Sequence, residues 1–154
     1  MKAILLFATL TALTSACSLS PGYVAPTLEE QAEAAGVVFK GIIQSFTGGP
    51  NEGYVVVFRN VKYYKGCGPT ALRVSGFQGS SLCGIEPPKV GTSAFVFGCK
   101  DDTFDWKLNR IAPFMGLVVE AAGVEDKVNA TTKNDFRCIS GYHLYTQCKP
   151  WIRS

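Results

Sequence analysis

The protein has 154 residues, with 15 Lys and Arg against 12 Asp and Glu, a formal net charge of +3 and 47% hydrophobic side chains. A chain of this length and apolar content is typical of one globular domain and excludes a wholly disordered chain. So small a positive charge lacks the clustered Lys and Arg of a nucleic-acid-binding domain, and we expect no nucleic-acid partner.

The first segment is typical of a secretory signal peptide. Met1-Lys2 is followed by an apolar run from Ala3 to Leu13 and by the small residues Thr14-Ser15-Ala16. A charged start, about 7–15 apolar residues and small residues at a cleavage site match the export pattern. The run is shorter than the roughly 20 apolar residues of a transmembrane helix, and no later run qualifies. We therefore expect residues 1–16 to be removed and residues 17–154 to form one secreted, extracellular domain with no transmembrane segment.

The remaining pattern predicts mainly β-structure. A capping box from Thr27 to Glu30 predicts a short helix through about Ala35, and the polar residues 126–137 predict a helix in their second half. The expected strands, in chain order, are Val37–Ile43, Gly53–Lys65, Leu72–Val74, Ser93–Cys99 and an irregular strand between Trp106 and Val119 that is interrupted at Pro113. The turn at Gly48–Asn51 makes the first two strands a long antiparallel hairpin. Five strands separated by Gly and Pro turns in so short a chain favour a closed or half-closed barrel.

The six cysteines, at positions 17, 67, 83, 99, 138 and 148, indicate disulfides. An even number of cysteines in an oxidising compartment predicts three bridges. No Cys-x-x-Cys occurs, and the one histidine, His143, lacks a partner at zinc-binding spacing, so we expect no metal or cofactor of the protein's own. Asn129-Ala130-Thr131 is a glycosylation sequon, which makes Asn129 a candidate glycan site.

The other polar clusters do not have the pattern of an active site, and we expect no enzymatic activity. Ser80-Ser81 has neither a Gly-x-Ser-x-Gly elbow nor an adjacent histidine. The run Asp101-Asp102 with Asp105 lacks the Gly and the distal Glu of a calcium-binding loop. The aromatic and basic run from Phe58 to Lys65 resembles the stacking platforms of OB-folds, but such a run is more often a twisted strand with its cations in solvent.

Four short motifs of the expected mature chain occur together. They are Cys17-Ser18-Leu19-Ser20-Pro21, Tyr64-Lys65-Gly66, Ser80-Ser81-Leu82-Cys83-Gly84, and Gly141-Tyr142 followed by Cys148. In combination they resemble the amino-terminal domain of the tissue inhibitors of metalloproteinases, from Cys17 to about Cys148 and without that family's second, carboxy-terminal domain. The resemblance implies a netrin-like fold, which is a five-stranded OB-type barrel with short flanking helices, stapled by disulfides.

The resemblance also implies that the protein inhibits zinc metalloendopeptidases. The α-amine and carbonyl of Cys17 would chelate the zinc of the target protease, because an α-amine with a pKa of about 7.7–8.0 is readily available in its neutral form. A Cys17–Cys83 disulfide would join this terminus to the loop that carries Cys83. Ser18 would enter the primed-side specificity pocket. The protease-contacting residues implied by the resemblance are Cys17, Ser18, Leu19, Ser20, Pro21, Ser81, Leu82, Cys83 and Gly84.

The chain departs from the family at three cysteine positions. Leu19 replaces the second Cys of the family's Cys-x-Cys start, and the stretch expected to hold its partner reads Leu108-Asn109-Arg110. Ala34 and Ala35 stand where the first helix would carry another Cys. In an OB-type meander the ends of strands two and four both approach the start of strand one. This arrangement favours Cys67–Cys99 and leaves Cys138–Cys148 to close a local loop.

Two other functions fit the same sequence. One is a non-inhibitory extracellular binding module, with matrix or another protein as its partner. The other is a lipoprotein acylated at Cys17, although Thr14 stands where lipoproteins usually carry Leu. A free amine at residue 17 permits zinc chelation, whereas a lipid, an acetyl group or a displaced cleavage site prevents it. We expect the protein to be a monomer, whether it is an inhibitor or a binding module.

Overall fold

A computed structural model describes residues 26–77, 86–99, 110–111, 114–135, 146 and 148–149. Its helices and strands are α1 (Leu28–Ala34), β1 (Val37–Gly49), β2 (Gly53–Lys65), β3 (Leu72–Phe77), β4 (Ser93–Gly98), β5 (Arg110–Ile111), β6 (Phe114–Val119) and α2 (Val124–Thr132). The prediction of a mainly β domain with two short helices is confirmed. Neither α1 nor α2 has the length and apolar character needed to cross a bilayer. The predicted leader and cleavage site lie outside the described residues.

All six strands belong to one sheet, in the order β5-β3-β2-β1-β4-β6. The five longer strands are antiparallel to their neighbours, and the two-residue β5 pairs parallel with β3. The predicted β1–β2 hairpin is confirmed, and β1 continues beyond its predicted end at Ile43 as far as Gly49. The predicted last strand is divided into β5 and β6, on either side of residues 112–113.

The sheet buries an apolar layer on each of its faces. Neighbouring residues of β1 belong to different layers, because successive side chains of a strand point to opposite faces. The layer here called the inner layer contains Val37, Phe39, Ile43, Val56, Phe58, Val61, Leu72, Val74, Phe77 and Val96. The outer layer, beneath α1 and α2, contains Ala32, Ala35, Val38, Tyr64, Phe95, Phe97 and Val128.

Helix α1 begins and ends with side-chain caps. The Thr27 hydroxyl accepts a hydrogen bond from the Glu30 amide at 3.2 Å, and the Glu30 carboxylate accepts one from the Thr27 amide at 2.7 Å, which is the predicted capping box. At the other end, Lys65 Nζ of β2 donates to the carbonyls of Ala32 and Glu33 at 3.3 and 3.2 Å. Such contacts satisfy helix carbonyls that have no partner within the helix.

Helix α2 lies earlier in the chain than predicted. It runs from Val124 to Thr132, whereas the sequence pattern placed the helix in the second half of residues 126–137. Val124 and Val128, one helical turn apart, pack against the outer layer, and Val128 is fully buried. This i, i+4 apolar pair fixes the position of the helix more strongly than the polar residues that follow it.

The predicted Cys67–Cys99 and Cys138–Cys148 pairings are wrong. Cys99 is bonded to Cys148, with their Cα atoms 5.0 Å apart, and Cys67 is disulfide-bonded to a different cysteine. The ends of β2 and β4 do approach the start of β1, but they lie on its opposite sides, because Val38 pairs with Lys65 and Val37 with Gly98. Two strand spacings of about 4.8 Å separate such positions, and a disulfide spans only about 4.4–6.8 Å between Cα atoms.

Gly41 marks a point of close approach between β1 and β2. The register shifts here, since Lys40 pairs with Lys62 and Ile42 with Arg59. A Cβ on Gly41 would lie 3.1 Å from the Cβ of Phe58 and 3.4 Å from a methyl of Val61. These neighbours are buried in the inner layer and cannot readily move aside.

We expect Gly41→Val to lower the free energy of unfolding by about 1–3 kcal/mol, because it overpacks the inner layer. Chemical denaturation followed by circular dichroism measures the change. The matched control is Gly49→Val, also in β1, where a Cβ has no neighbour within 4 Å. If Gly41→Val were as stable as the control, β1 and β2 would not be in close contact at Gly41.

Candidate functional site

The predicted protease-contacting residues lie outside the described residues. These are Cys17, Ser18, Leu19, Ser20, Pro21, Ser81, Leu82, Cys83 and Gly84. His143, Cys138, Ser80 and the three aspartates at 101, 102 and 105 also lie outside them. The described residues nevertheless define where the two site-bearing segments join the fold, at Pro26, Phe77 and Glu86.

The segment that carries Cys83 connects β3 to β4. Its start, Phe77, pairs with Tyr54 near the tip of the β1–β2 hairpin. Where the chain reaches β4, the Gly91 amide donates to the Ile43 carbonyl at 2.8 Å, and the Ile43 amide donates to the Thr92 carbonyl at 2.9 Å. The connection therefore starts beside β2 and ends beside β1, on opposite sides of the hairpin.

The segment that carries Cys17 joins the fold at the start of α1. The Gln31 side chain donates to the Pro26 carbonyl at 3.3 Å. Its amide oxygen lies against Gly116 of β6, in space that a Cβ there would occupy. Together with the capping box at Thr27, these contacts hold Pro26 and the start of α1 in place.

The most charged cluster in the described chain was not predicted from the sequence. It joins the first turn of α2 to the outer sides of β1 and β2. Lys62 Nζ lies 2.8 Å and Lys40 Nζ 3.3 Å from the Glu125 carboxylate, and Lys40 also contacts Glu120 at 2.9 Å. The Tyr64 hydroxyl donates to the same carboxylate oxygen of Glu125 as Lys62 does.

The hydrogen bonds within the cluster shift the pKa values of its charged groups. Hydrogen bonds from Lys62 and then Tyr64 lower the pKa of Glu125 from 4.5 to about 2. The hydrogen bonds from Ser93 and Lys40 lower the pKa of Glu120, and in turn the bond to Glu120 raises the pKa of Lys40. A carboxylate that is ionised at every physiological pH and already has three donors is poorly suited to proton transfer. The cluster is better suited to holding α2 on the sheet.

The sequence contained only part of the signal for this cluster. An acidic residue in the first turn of a helix favours the positive end of the helix dipole, and Glu125 and Asp126 occupy that turn. The two lysines, however, stand on different strands, and only the β1–β2 register brings them to one carboxylate. Among the described residues, no three His, Cys, Asp or Glu side chains are grouped so as to hold a metal ion.

The aromatic and basic run of β2 is a twisted strand packed on both faces. Phe58 and Tyr64 are fully buried, in the inner and outer layers. Lys62 lies over the Tyr64 ring, with Nζ 5.1 Å from its centroid. Because these two rings are covered, they are not available to stack on a nucleic-acid base.

We expect Glu125→Gln to destabilise the protein at neutral pH by about 1 kcal/mol, the upper range for solvent-accessible ion pairs. The folded-state pKa of about 2 lies below the ordinary value of 4.5, so the stabilisation is complete above about pH 4.5 and is lost as the pH falls toward 2. Thermal unfolding of the wild type and of Glu125→Gln, at pH values from 4.5 down to 2, measures whether the stabilities of the two proteins converge.

The control for this experiment is Asp126→Asn. It removes the same charge from the same helical turn, and Asp126 is exposed. A loss equal to that of Glu125→Gln, or a loss that stays constant down to pH 2, would contradict the role given to Lys40, Lys62 and Tyr64.

No model of a protein family matches this chain, and a comparison with curated proteins finds no match. The function must therefore be inferred from the residues and geometry of the chain itself.

Proposed function

We propose that the protein is a secreted, netrin-like OB barrel that inhibits zinc metalloendopeptidases through its Cys17 terminus. The single observation that supports this most is the strand order β5-β3-β2-β1-β4-β6, in which the two outermost strands follow each other directly in the chain. It is the arrangement expected of the barrel that the sequence motifs imply.

The chain connection supports closure of the barrel. Ile111 of β5 and Phe114 of β6 are three peptide units apart, so their Cα atoms are separated by at most about 11 Å. Ile111 pairs with Val74 of β3, and Phe114 with Gly98 of β4, at opposite ends of the strand order. So short a connection between the two edges favours a sheet that curls until its edges approach each other, as in a five-stranded OB barrel.

The attachment of the two site-bearing segments also supports the proposal. The segment that carries Cys17 leads into a capped helix, and the segment that carries Cys83 follows β3, which pairs with β2, and precedes β4, which pairs with β1. A disulfide between Cys17 and Cys83 would join them into one wedge. A wedge held on rigid elements loses little conformational entropy when it binds, and this favours tight inhibition.

The chemistry assigned to Cys17 needs no side-chain catalysis. Its neutral α-amine and its carbonyl oxygen would occupy coordination positions on the protease zinc and displace the water that attacks substrate. Ser18 would then project into the adjacent specificity pocket, with Leu19, Ser20 and Pro21 in the cleft. The zinc belongs to the protease, so the inhibitor carries no cofactor.

The experiment is a titration of the oxidised protein, shown by intact mass to begin at Cys17, into a panel of zinc endopeptidases. The matched control carries one additional Ala before Cys17, which moves the α-amine away without changing the fold. We expect stoichiometric inhibition by the native terminus and at least a 1,000-fold weaker effect of the extended protein, about 4 kcal/mol of lost binding.

Inhibition by both forms would exclude zinc chelation by Cys17. If neither form inhibits any enzyme of the panel, the proposal is overturned and an extracellular binding module is the better interpretation. An intact mass that includes a lipid on Cys17 would favour the lipoprotein instead.

A further inference from the structure

Among the described strands, none pairs with the distal half of β1 on the side opposite β2. β1 pairs with β4 only from Val37 to Ile42, and the contacts of Ile43 with Gly91 and Thr92 end the pairing on that side. From Ser45 to Gly49, β2 is the only described strand that pairs with β1. No described residue is hydrogen-bonded along the other side of this segment, which we call the open edge.

Apart from the register shift between Ile43 and Ser45 at its start, the open edge lacks the features that usually prevent a strand from pairing with another chain. Its sequence, Ser45-Phe46-Thr47-Gly48-Gly49, contains no charged residue and no proline. Residues 45–48 are exposed, and 38% of the Phe46 surface is accessible although its ring contacts Tyr54. Natural proteins protect such edges with charges, prolines or bulges, and an unprotected edge is a template for another strand.

We infer that the open edge pairs with the open edge of a second copy of this protein, antiparallel and related by a two-fold axis at Thr47. In this register Ser45 of one copy lies opposite Gly49 of the other. Each hairpin tip, Pro50–Glu52, then abuts the turn Lys89–Gly91 of the other copy, because that turn follows directly beyond the open edge at Ile43. Identical surfaces meet in such an isologous contact.

Charge complementarity favours a second copy over another partner. Glu52 at the tip and Lys89 in the turn are both exposed, and neither forms an ion pair with a described residue. The two-fold axis brings each Glu52 toward the Lys89 of the other copy, twice per pair. Val90, with 61% of its surface exposed, lies in the same turn and would be partly covered.

The size of the contact determines its strength. About five residues per copy span only some 17 Å of strand. Their contact falls below the roughly 1,200 Å² that a stable interface buries, so the pair is a weak one that forms at high concentration. We expect a dissociation constant of the order of 0.1–1 mM, with a monomer at lower concentrations.

The test is sedimentation velocity of the oxidised protein at concentrations from about 10 µM to 1 mM. We expect the weight-average mass to rise toward that of a dimer. Thr47→Lys places two ammonium groups opposite each other at the axis and weakens the pair at least tenfold, because like charges directly across strands repel. The matched control, Thr70→Lys, makes the same change at an exposed position between β2 and β3 and leaves association unaltered.

Charge reversal tests the register. Glu52→Lys weakens association, and the double variant Glu52→Lys with Lys89→Glu restores it. The thermal midpoint of each variant confirms that it is folded. A wild type that stays monomeric at the highest concentration, or a dimer that Thr47→Lys leaves intact, would overturn the inference. Failure of the double variant to restore association would overturn the antiparallel register.

Discussion

We expect replacement of both Cys99 and Cys148 with alanine to lower the free energy of unfolding by about 3–4 kcal/mol. The two residues are 49 positions apart in the chain, so the bridge removes considerable freedom from the unfolded state. It also holds the carboxy-terminal segment against the start of β1, where the Lys149 amide donates to the Ala34 carbonyl at 2.8 Å and the Thr146 amide to the Gly36 carbonyl at 3.2 Å. Denaturant titration under non-reducing conditions measures the loss.

Thr146→Ala is the matched control for this bridge. It removes the hydroxyl that donates to the Gly36 carbonyl at 3.1 Å and leaves the disulfide in place. We expect a loss of about 1 kcal/mol from this single, partly buried hydrogen bond. If the double cysteine variant were no less stable than Thr146→Ala, the carboxy-terminal segment would not be fixed by Cys99–Cys148.

The second large effect is expected for Phe39→Ala, with a loss of about 3–5 kcal/mol. Phe39 is fully buried near the start of β1, in the inner layer. Its ring meets Phe58 edge to face at 5.4 Å between centroids and Tyr63 at 6.0 Å. Truncation removes both ring contacts and leaves a cavity in the inner layer, which its closely packed neighbours can fill only in part.

Phe46→Ala is the comparison for Phe39→Ala, because it removes the same side chain from the same strand. Phe46 has 38% of its surface exposed and one ring neighbour, Tyr54. We expect a loss of about 1 kcal/mol, measured by denaturation at micromolar protein, well below the concentrations of self-association. Equal losses from the two variants would contradict the placement of the inner layer.

Local patterns in the sequence were sufficient for most of the described fold. The capping box at Thr27 and the Gly-rich turn before Gly53 act within a few residues, and the structure follows both of them. Helix α2 was misplaced because its position depends on Val124 and Val128 packing against a layer formed by distant residues. The polar residues of α2 do not indicate where that layer lies.

The disulfides and the charge cluster could not be predicted by the same means. Both depend on which side of β1 a neighbouring strand lies, and nothing in the local sequence specifies this. Cys67 and Cys99 follow strands that flank β1 on opposite sides, whereas Lys40 and Lys62 are brought together by direct pairing. The order of the strands therefore rules out one of the predicted disulfides and accounts for the charge cluster, which was not predicted. The predicted inhibitory residues remain predictions, since they lie outside the described part of the chain.

The central claim is that the Cys17 α-amine ligates the zinc of a protease, and cobalt substitution tests it most directly. Co²⁺ occupies nitrogen and oxygen sites similar to those of Zn²⁺, and its visible absorption reports a change of ligand. We predict that one equivalent of the protein with a native Cys17 terminus changes the spectrum of a cobalt-substituted endopeptidase. The same protein with an additional Ala before Cys17 should leave it unchanged. Inhibition without a spectral change, or the same change from both forms, would contradict ligation by Cys17.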